Sequence, residues 1–251
     1  MIKMDFNELE KKLLQSKAPK DSVSFAKQYI APVNYEAFAS LFSSEEQAQE
    51  AVKAIKQYSK IEGNTYAQAV FKLIQNAGEN QPQFTLDDGS KLYRPLSFKE
   101  NLVARIEQPD LFDNYWDSCT GVAHKKNSSL VKIQPVCKEL ITIDKRFKGN
   151  FLGVDYKTFD GEELDVSKTS KMDKWLVAMG GVNAENKEIY NNYQKVLFER
   201  RPNLCKEEAM NFYTVDNPLN DQLRALYVHN FSSNTYCNFD LYDDAWFLRV
   251  D

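Results

Sequence analysis

The texture of the hydrophobic pattern changes about a third of the way along this chain, from helical to mixed, and that change limits the fold classes open to it. In the first third, apolar residues recur at helical spacing. Phe6, Leu9, Leu13 and Leu14 stand with acids and lysines between them. Ser44-Glu45-Glu46-Gln47 has the Ser-x-x-Gln spacing that lets a helix start satisfy its own free amides. It predicts a helix through Ala51, Val52, Ile55 and Tyr58. A further helix fits Thr65 to Gln75 through Ala67, Val70, Phe71 and Ile74, with Gly78 ending it. The polar run Asn76-Ala77-Gly78-Glu79-Asn80-Gln81-Pro82 is the best domain boundary, giving a helical N-terminal segment over 1–82 and a second domain over 83–251.

Beyond the boundary the elements are short and mixed. Phe84 to Tyr93 reads as two strands around the turn Asp87-Asp88-Gly89, where Asp-Gly suits positive backbone angles. Ser97-Phe98-Lys99-Glu100 is a capping box opening a helix from Asn101 to about Gln108. Val131 to Val136 alternates like a strand, as does Leu140-Ile141-Thr142-Ile143. Helices follow at Lys171 to Met179, stopped by Gly180-Gly181, at Ala184 to Phe198, and briefly at Glu207 to Phe212. Leu223 to Val228 and Trp246 to Val250 read as strands. The expected class is α+β.

The charge balance excludes some functions. The net charge is -4 with the signs interspersed, so no basic stripe exists to neutralise phosphates, and nucleic-acid binding is not expected. No window approaches the length of a membrane span, and the N-terminus lacks the apolar run of a signal peptide. The default location is the cytoplasm, with surface display by an unannounced route left open. Cys119, Cys137, Cys205 and Cys237 stand far apart without a C-x-x-C pair, and with only His124 and His229 to help, no metal site is expected. No cofactor-binding motif occurs.

Three places could carry chemistry or a cation. Trp116-Asp117-Ser118-Cys119-Thr120-Gly121 offers Ser118 and Cys119 as nucleophiles with His124 as a base, which would make a hydrolase or transferase. No G-x-S-x-G surrounds them, and the plainer expectation is a turn leading into a strand, with Cys119 packed as a small hydrophobe. Asp160-Gly161-Glu162-Glu163-Leu164-Asp165 lacks the alternating ligands of a calcium loop and reads as a solvated turn. Asp240, Asp243 and Asp244 are weighed as a cation site against exposed polar positions around a buried Leu241 and Phe247.

The C-terminal stretch is unusual in composition. Leu223 to Ala245 holds no Lys, Glu, Gln, Met or Trp, types that make up about a quarter of the chain. Every residue from His229 to Asp244 can be encoded by a codon ending in a pyrimidine. The mixture of Asn, Tyr, Asp, Ser and Phe suits recognition loops, since Tyr gives rigid contact area while Ser and Asn give adaptable hydrogen bonds. Leu241, Phe247 and Val250 are expected to face inward, and Tyr236, Tyr242 and Trp246 outward.

On those residues, with weaker support from Trp116 to Gly121 and from Phe247-Leu248-Arg249-Val250, the chain resembles variable proteins of archaeal diversity-generating retroelements. In that family a reverse transcriptase misincorporates opposite adenine and scatters Asn codons into the pyrimidine-ending set. The variable residues lie near the C-terminus of a C-type-lectin fold, which displays them as a ligand-binding surface. The resemblance covers roughly Gln83 to Asp251. It implies that Ser232, Ser233 and Leu241 are scaffold positions. It also implies that Asn230, Phe231, Asn234, Tyr236, Asn238, Asp240, Tyr242, Asp243, Asp244 and Trp246 are diversified. Trp246 departs from the pattern, because its codon does not end in a pyrimidine. The Glu-Pro-Asn and Trp-Asn-Asp tripeptides of sugar-binding C-type lectins are absent, so the fold implies neither carbohydrate nor calcium.

The expectation is therefore a non-enzymatic binding protein: a C-type-lectin-like α+β domain preceded by a helical segment. Its partner would be a protein or other macromolecule, held by aromatic anchors. A third reading is an adaptor acting through its N-terminal helices.

Overall fold

The computed structural model describes residues 58–62, 65–75, 83–85 and 91–250. The helices expected around Phe6 to Leu14 and after Ser44, and the turn Asp87-Asp88-Gly89, lie outside the described residues. Tyr58 to Asp251 forms one compact α+β unit.

Its first elements are β1 (Tyr58–Glu62) and α1 (Tyr66–Gln75). Both fall within the segment read as N-terminal and helical, yet both belong to this unit. Tyr58, expected at a helix end, opens a strand. β1 pairs antiparallel with the last strand, β11 (Trp246–Val250), in register from Tyr58 opposite Val250 to Glu62 opposite Trp246. The Tyr66 ring of α1 meets Phe247 edge-on at 5.0 Å. Such pairing joins residues far apart in sequence, and no local pattern announces it.

The short hairpin β2 (Gln83–Thr85) and β3 (Lys91–Tyr93) forms as expected. α2 (Phe98–Glu107) starts at the foreseen capping box: the Ser97 hydroxyl accepts from the Glu100 amide, and the Glu100 carboxylate accepts from the Ser97 amide. The helix begins three residues earlier than expected. A 3-10 turn over Pro109–Asp113 leads into the central strand β4 (Trp116–His124).

β4 organises the main sheet. β9 (Gln222–Val228) lies antiparallel along one side of it. On the other side it pairs first with β11, parallel at Asp117 opposite Phe247, and then from Gly121 onward with β5 (Leu130–Gln134). The change of partner coincides with an irregularity between Asp117 and Gly121, where the ladder to β9 also slips. Bulges of this kind bend a strand and re-aim its side chains. Here the bend is held by cross-links. The Cys119 amide donates to the Leu96 carbonyl, the Phe98 amide to the Thr120 hydroxyl, and the Ser118 hydroxyl to the Leu226 carbonyl. The turn expected at Asp117 to Thr120 is thus a strand, because neighbours on both sides satisfy its backbone.

β6 (Leu152–Gly153) pairs with β9, and β7 (Glu162–Asp165) with β5. β8 (Phe212–Tyr213) runs parallel to β10 (Thr235–Tyr236), which pairs with β9. Two expectations fail. Leu140 to Ile143 is not a strand: α3 (Lys138–Ile141) buries the adjacent Leu140 and Ile141 together, which an alternating strand cannot do against one face. Glu207 to Phe212 is not a helix. Its chain makes a single turn, with the Ala209 amide donating to the Cys205 carbonyl, and then enters β8.

α4 (Lys171–Ala178) and α5 (Ala184–Arg200) match the sequence reading. Gly180, at φ 102°, ends α4 in a conformation that disfavours other residues. With α2 these helices cover one face of the sheet around Trp175, which meets Phe98 edge-on at 5.1 Å. α1 and α3 cover a second apolar cluster that contains Leu223, Leu241 and Phe247.

Candidate ligand-binding site

The two strand ends that face the C-terminal segment carry the floor of a cleft. Successive side chains of a strand alternate in direction, so Ala225 and Tyr227 of β9, and His229 just beyond it, emerge on one side. Leu226 and Val228 join the helix-covered core. β4 contributes Asp117 at its bend, preceded by Tyr115, and α1 contributes Tyr66. Tyr236 of β10 and the segment between β10 and β11, with Phe239, Asp240, Leu241, Asp243, Asp244 and Ala245, close the other side. Together they enclose about 430 Å³, a size suited to a side chain or small ligand.

The aromatic wall is ordered. Tyr236 stacks on Tyr213 at 4.8 Å and on Tyr227 at 5.3 Å, so three tyrosine rings form a ladder. Phe239 stands nearly perpendicular to Tyr227 and Tyr236. Across the cleft Tyr115 stacks on Trp246 at 4.8 Å. Stacked and edge-on rings of this kind attract one another.

Asp117 is the chemically unusual group. Its carboxylate accepts from the Trp246 amide at 2.8 Å. Burial pushes the carboxyl up to about 7, against that hydrogen bond. Burial, aided by the charge of Asp117, raises the Tyr227 hydroxyl well above its ordinary value. His229 is lowered by burial and by Arg105, which keeps its ring neutral near pH 7.

Four of the ten sequence-predicted positions meet in this cleft: Tyr236, Asp240, Asp243 and Asp244. Tyr242 is exposed on the adjoining surface beside Lys148 and Gln68. Trp246, expected outside, is half-buried through its stack on Tyr115. Asn238 is exposed, and Phe231 is exposed under the Arg201 guanidinium. The Asn230 side chain accepts from the next backbone amide, that of Phe231. Asn234 faces inward, its side-chain oxygen accepting from the Asn211 amide at 2.8 Å. Leu241 and Phe247 are buried as expected, and so is Ser233.

Sequence reasoning missed Tyr66, Tyr115, Asp117, Tyr227, His229 and Phe239 as cleft residues. The alternation Ala225-Tyr227-His229 was available in the sequence. The contributions of Tyr66 and Tyr115 depend on long-range pairing.

The residues suggested for covalent chemistry do not form a catalytic unit. Cys119 is buried, and burial pushes its thiol up to about 12, the opposite of an activated thiolate. The Ser118 hydroxyl is engaged by the Leu226 carbonyl. His124 lies five residues further along β4, roughly 16 Å at strand spacing. It faces the Cys237 sulfur at 3.7 Å and accepts from the Val215 amide, and burial pushes it down to about 4. All four cysteines are free. Among the described residues no three His, Cys, Asp or Glu side chains converge as a metal site, and no helix is long and apolar enough to cross a membrane.

Fold and cleft define an α+β domain that presents an open aromatic pocket beside its last strands. The chain is similar to a solved structure described as the accommodation of massive sequence variation in Nanoarchaeota by the C-type lectin fold. The identity is 15%, the TM-score is 0.49, and the match covers 78% of this chain and 98% of that one. No protein-family model and no curated protein matches the chain.

Proposed function

We propose that this chain is a ligand-binding protein: a C-type-lectin-like α+β domain whose segment from Asn230 to Trp246 is a retroelement-diversified surface on a stable scaffold. It acts by binding a protein or other macromolecular ligand, without covalent chemistry. One observation carries the reading. The segment from His229 to Asp244, whose residues can all be encoded by pyrimidine-ending codons, contributes one wall of the cleft. Its backbone is fixed by residues outside it, so its outward side chains can change without unfolding the domain.

Supporting bonds come from three directions. The Tyr193 hydroxyl donates to Ser233, the Met210 amide donates to the Ser232 carbonyl, and Arg224 donates to the carbonyls of Asn238 and Phe239. The test is to sequence the native locus. A nearby near-copy of the codons for Asn230 to Trp246, differing almost only at its adenines and accompanied by a reverse-transcriptase gene, is the expected result. Absence of such a copy would reduce the segment to an ordinary loop.

A further inference from the structure

The cleft is apolar on its wall and negative at its floor and rim. We propose that, in this particular sequence, it receives a basic side chain, a lysine or arginine presented by a protein ligand. The carbon stem lies along the tyrosine ladder and Phe239, and the charged head sits among Asp117, Asp243 and Asp244. This rests on the binding-surface reading and names the chemistry of its partner.

The charge count within the cleft is one-sided, and Lys148, beside its rim, lines the adjoining pocket with Asp243 and Asp244. The residues lining the cleft include four aspartates and no lysine or arginine. Asp240 has its own counter-charge, the Arg224 guanidinium at 2.8 Å. Among the described residues no lysine or arginine forms an ion pair with Asp117, Asp243 or Asp244. The one histidine of the cleft, His229, is held neutral by its surroundings.

A desolvated carboxylate without a cation is unfavourable, and burial is what raises the carboxyl of Asp117. An incoming ammonium or guanidinium supplies the missing charge. An anionic group would be repelled, and a neutral apolar group would leave the carboxylates further desolvated. Lysine and arginine match the geometry as well, because both lay a long hydrocarbon stem on apolar surface while the head reaches polar groups. The aromatic wall and the acidic rim thus ask for the two halves of one side chain.

The test is an NMR titration of the full chain with three uncharged-backbone probes: N-acetyl-arginine methylamide, N-acetyl-lysine methylamide and N-acetyl-norleucine methylamide. Saturable shifts at Trp246 and Tyr236 are expected at millimolar probe. The basic probes should bind about fivefold or more tighter than norleucine, the scale of one partly exposed ion pair. The double variant Asp243→Asn, Asp244→Asn should erase that preference, and both sites are exposed, so folding is retained. Asp117→Asn should erase it too.

If norleucine binds as tightly as the basic probes, the cation assignment is overturned while the cleft remains a binding site. If no probe shifts any cleft residue, the cation assignment and the cleft-binding reading both fall.

Discussion

The two halves of the C-terminal segment both mix Asn, Phe and Tyr with polar residues and differ in what their side chains do. From Ser233 to Thr235 the polar groups turn inward. Asn234 accepts from the Asn211 amide, the Thr235 amide and hydroxyl both donate to the Asn211 carbonyl, and Ser233 adopts φ 51° while accepting from Tyr193. From Asn238 to Asp244 the backbone is pinned by Arg224 and by Leu241, whose amide donates to Asn150 and whose carbonyl accepts from Tyr66. There Asn238, Phe239, Tyr242, Asp243 and Asp244 all face solvent. Asn234 in the first half holds the chain, whereas Asn238 in the second half is exposed. Composition cannot separate the two roles, because both use the same hydrogen-bonding groups.

The largest effect should come from breaking the support of the first half. Arg105 is fully buried on α2 and donates to Tyr193 and to the carbonyls of Asn114, Val228 and His229. Arg105→Met leaves those acceptors unpaired, and denaturant unfolding should report a loss of about 3 kcal/mol or more. Retained stability would mean that the first half holds itself. In the second half the comparable pin is Leu241, 3% exposed. Leu241→Ala should cost about 2–4 kcal/mol in the same assay. It should lower probe or ligand binding as well, since it frees the wall that carries Phe239.

Much of the scaffold was legible in the sequence because its signals are local. The capping box at Ser97 and Glu100, the Gly180-Gly181 stop and the strand at Leu223 to Val228 each follow from residues within one turn or one strand. Leu140 to Ile143 was misread because a short apolar run carries too few periods to distinguish strand from helix. The cleft was half legible. Its segment wall stood out by composition, but its floor is made by β4, β9 and α1, which meet only through pairing across most of the chain. The boundary expected at Asn76 to Pro82 set Tyr66 apart from the site it lines for the same reason.

Asp117 links the floor to pH. Its carboxyl holds a proton to about pH 7 in the fold, whereas an unfolded aspartate releases it near 4. Between those values the native state binds more protons than the unfolded state, so stability falls as pH rises through the window. Asp117→Asn should remove that slope. Melting temperatures of the two proteins should diverge in favour of the variant as pH climbs from 4 to 8. A parallel pair of curves would mean that Asp117 is ionised in the fold throughout.

The smallest effects should fall on the outward side chains of the second half, and their smallness sharpens the contrast most. Tyr242 is 48% exposed, and Asp243 and Asp244 are exposed beside it. Substitution of exposed residues away from caps, cores and networks usually changes stability by no more than about 0.5 kcal/mol. Tyr242→Ala, Asp243→Ala and Asp244→Ala, singly, should therefore leave the melting temperature nearly unchanged. Asn234→Ala in the first half should lower it, because the Asn211 amide loses its acceptor in a buried setting and such losses cost about 1–3 kcal/mol. Four variants measured by one thermal-unfolding assay compare the halves directly. Equal losses at all four positions would mean that the outward residues also hold the fold, and a surface open to diversification would then have to be narrower than Asn230 to Trp246.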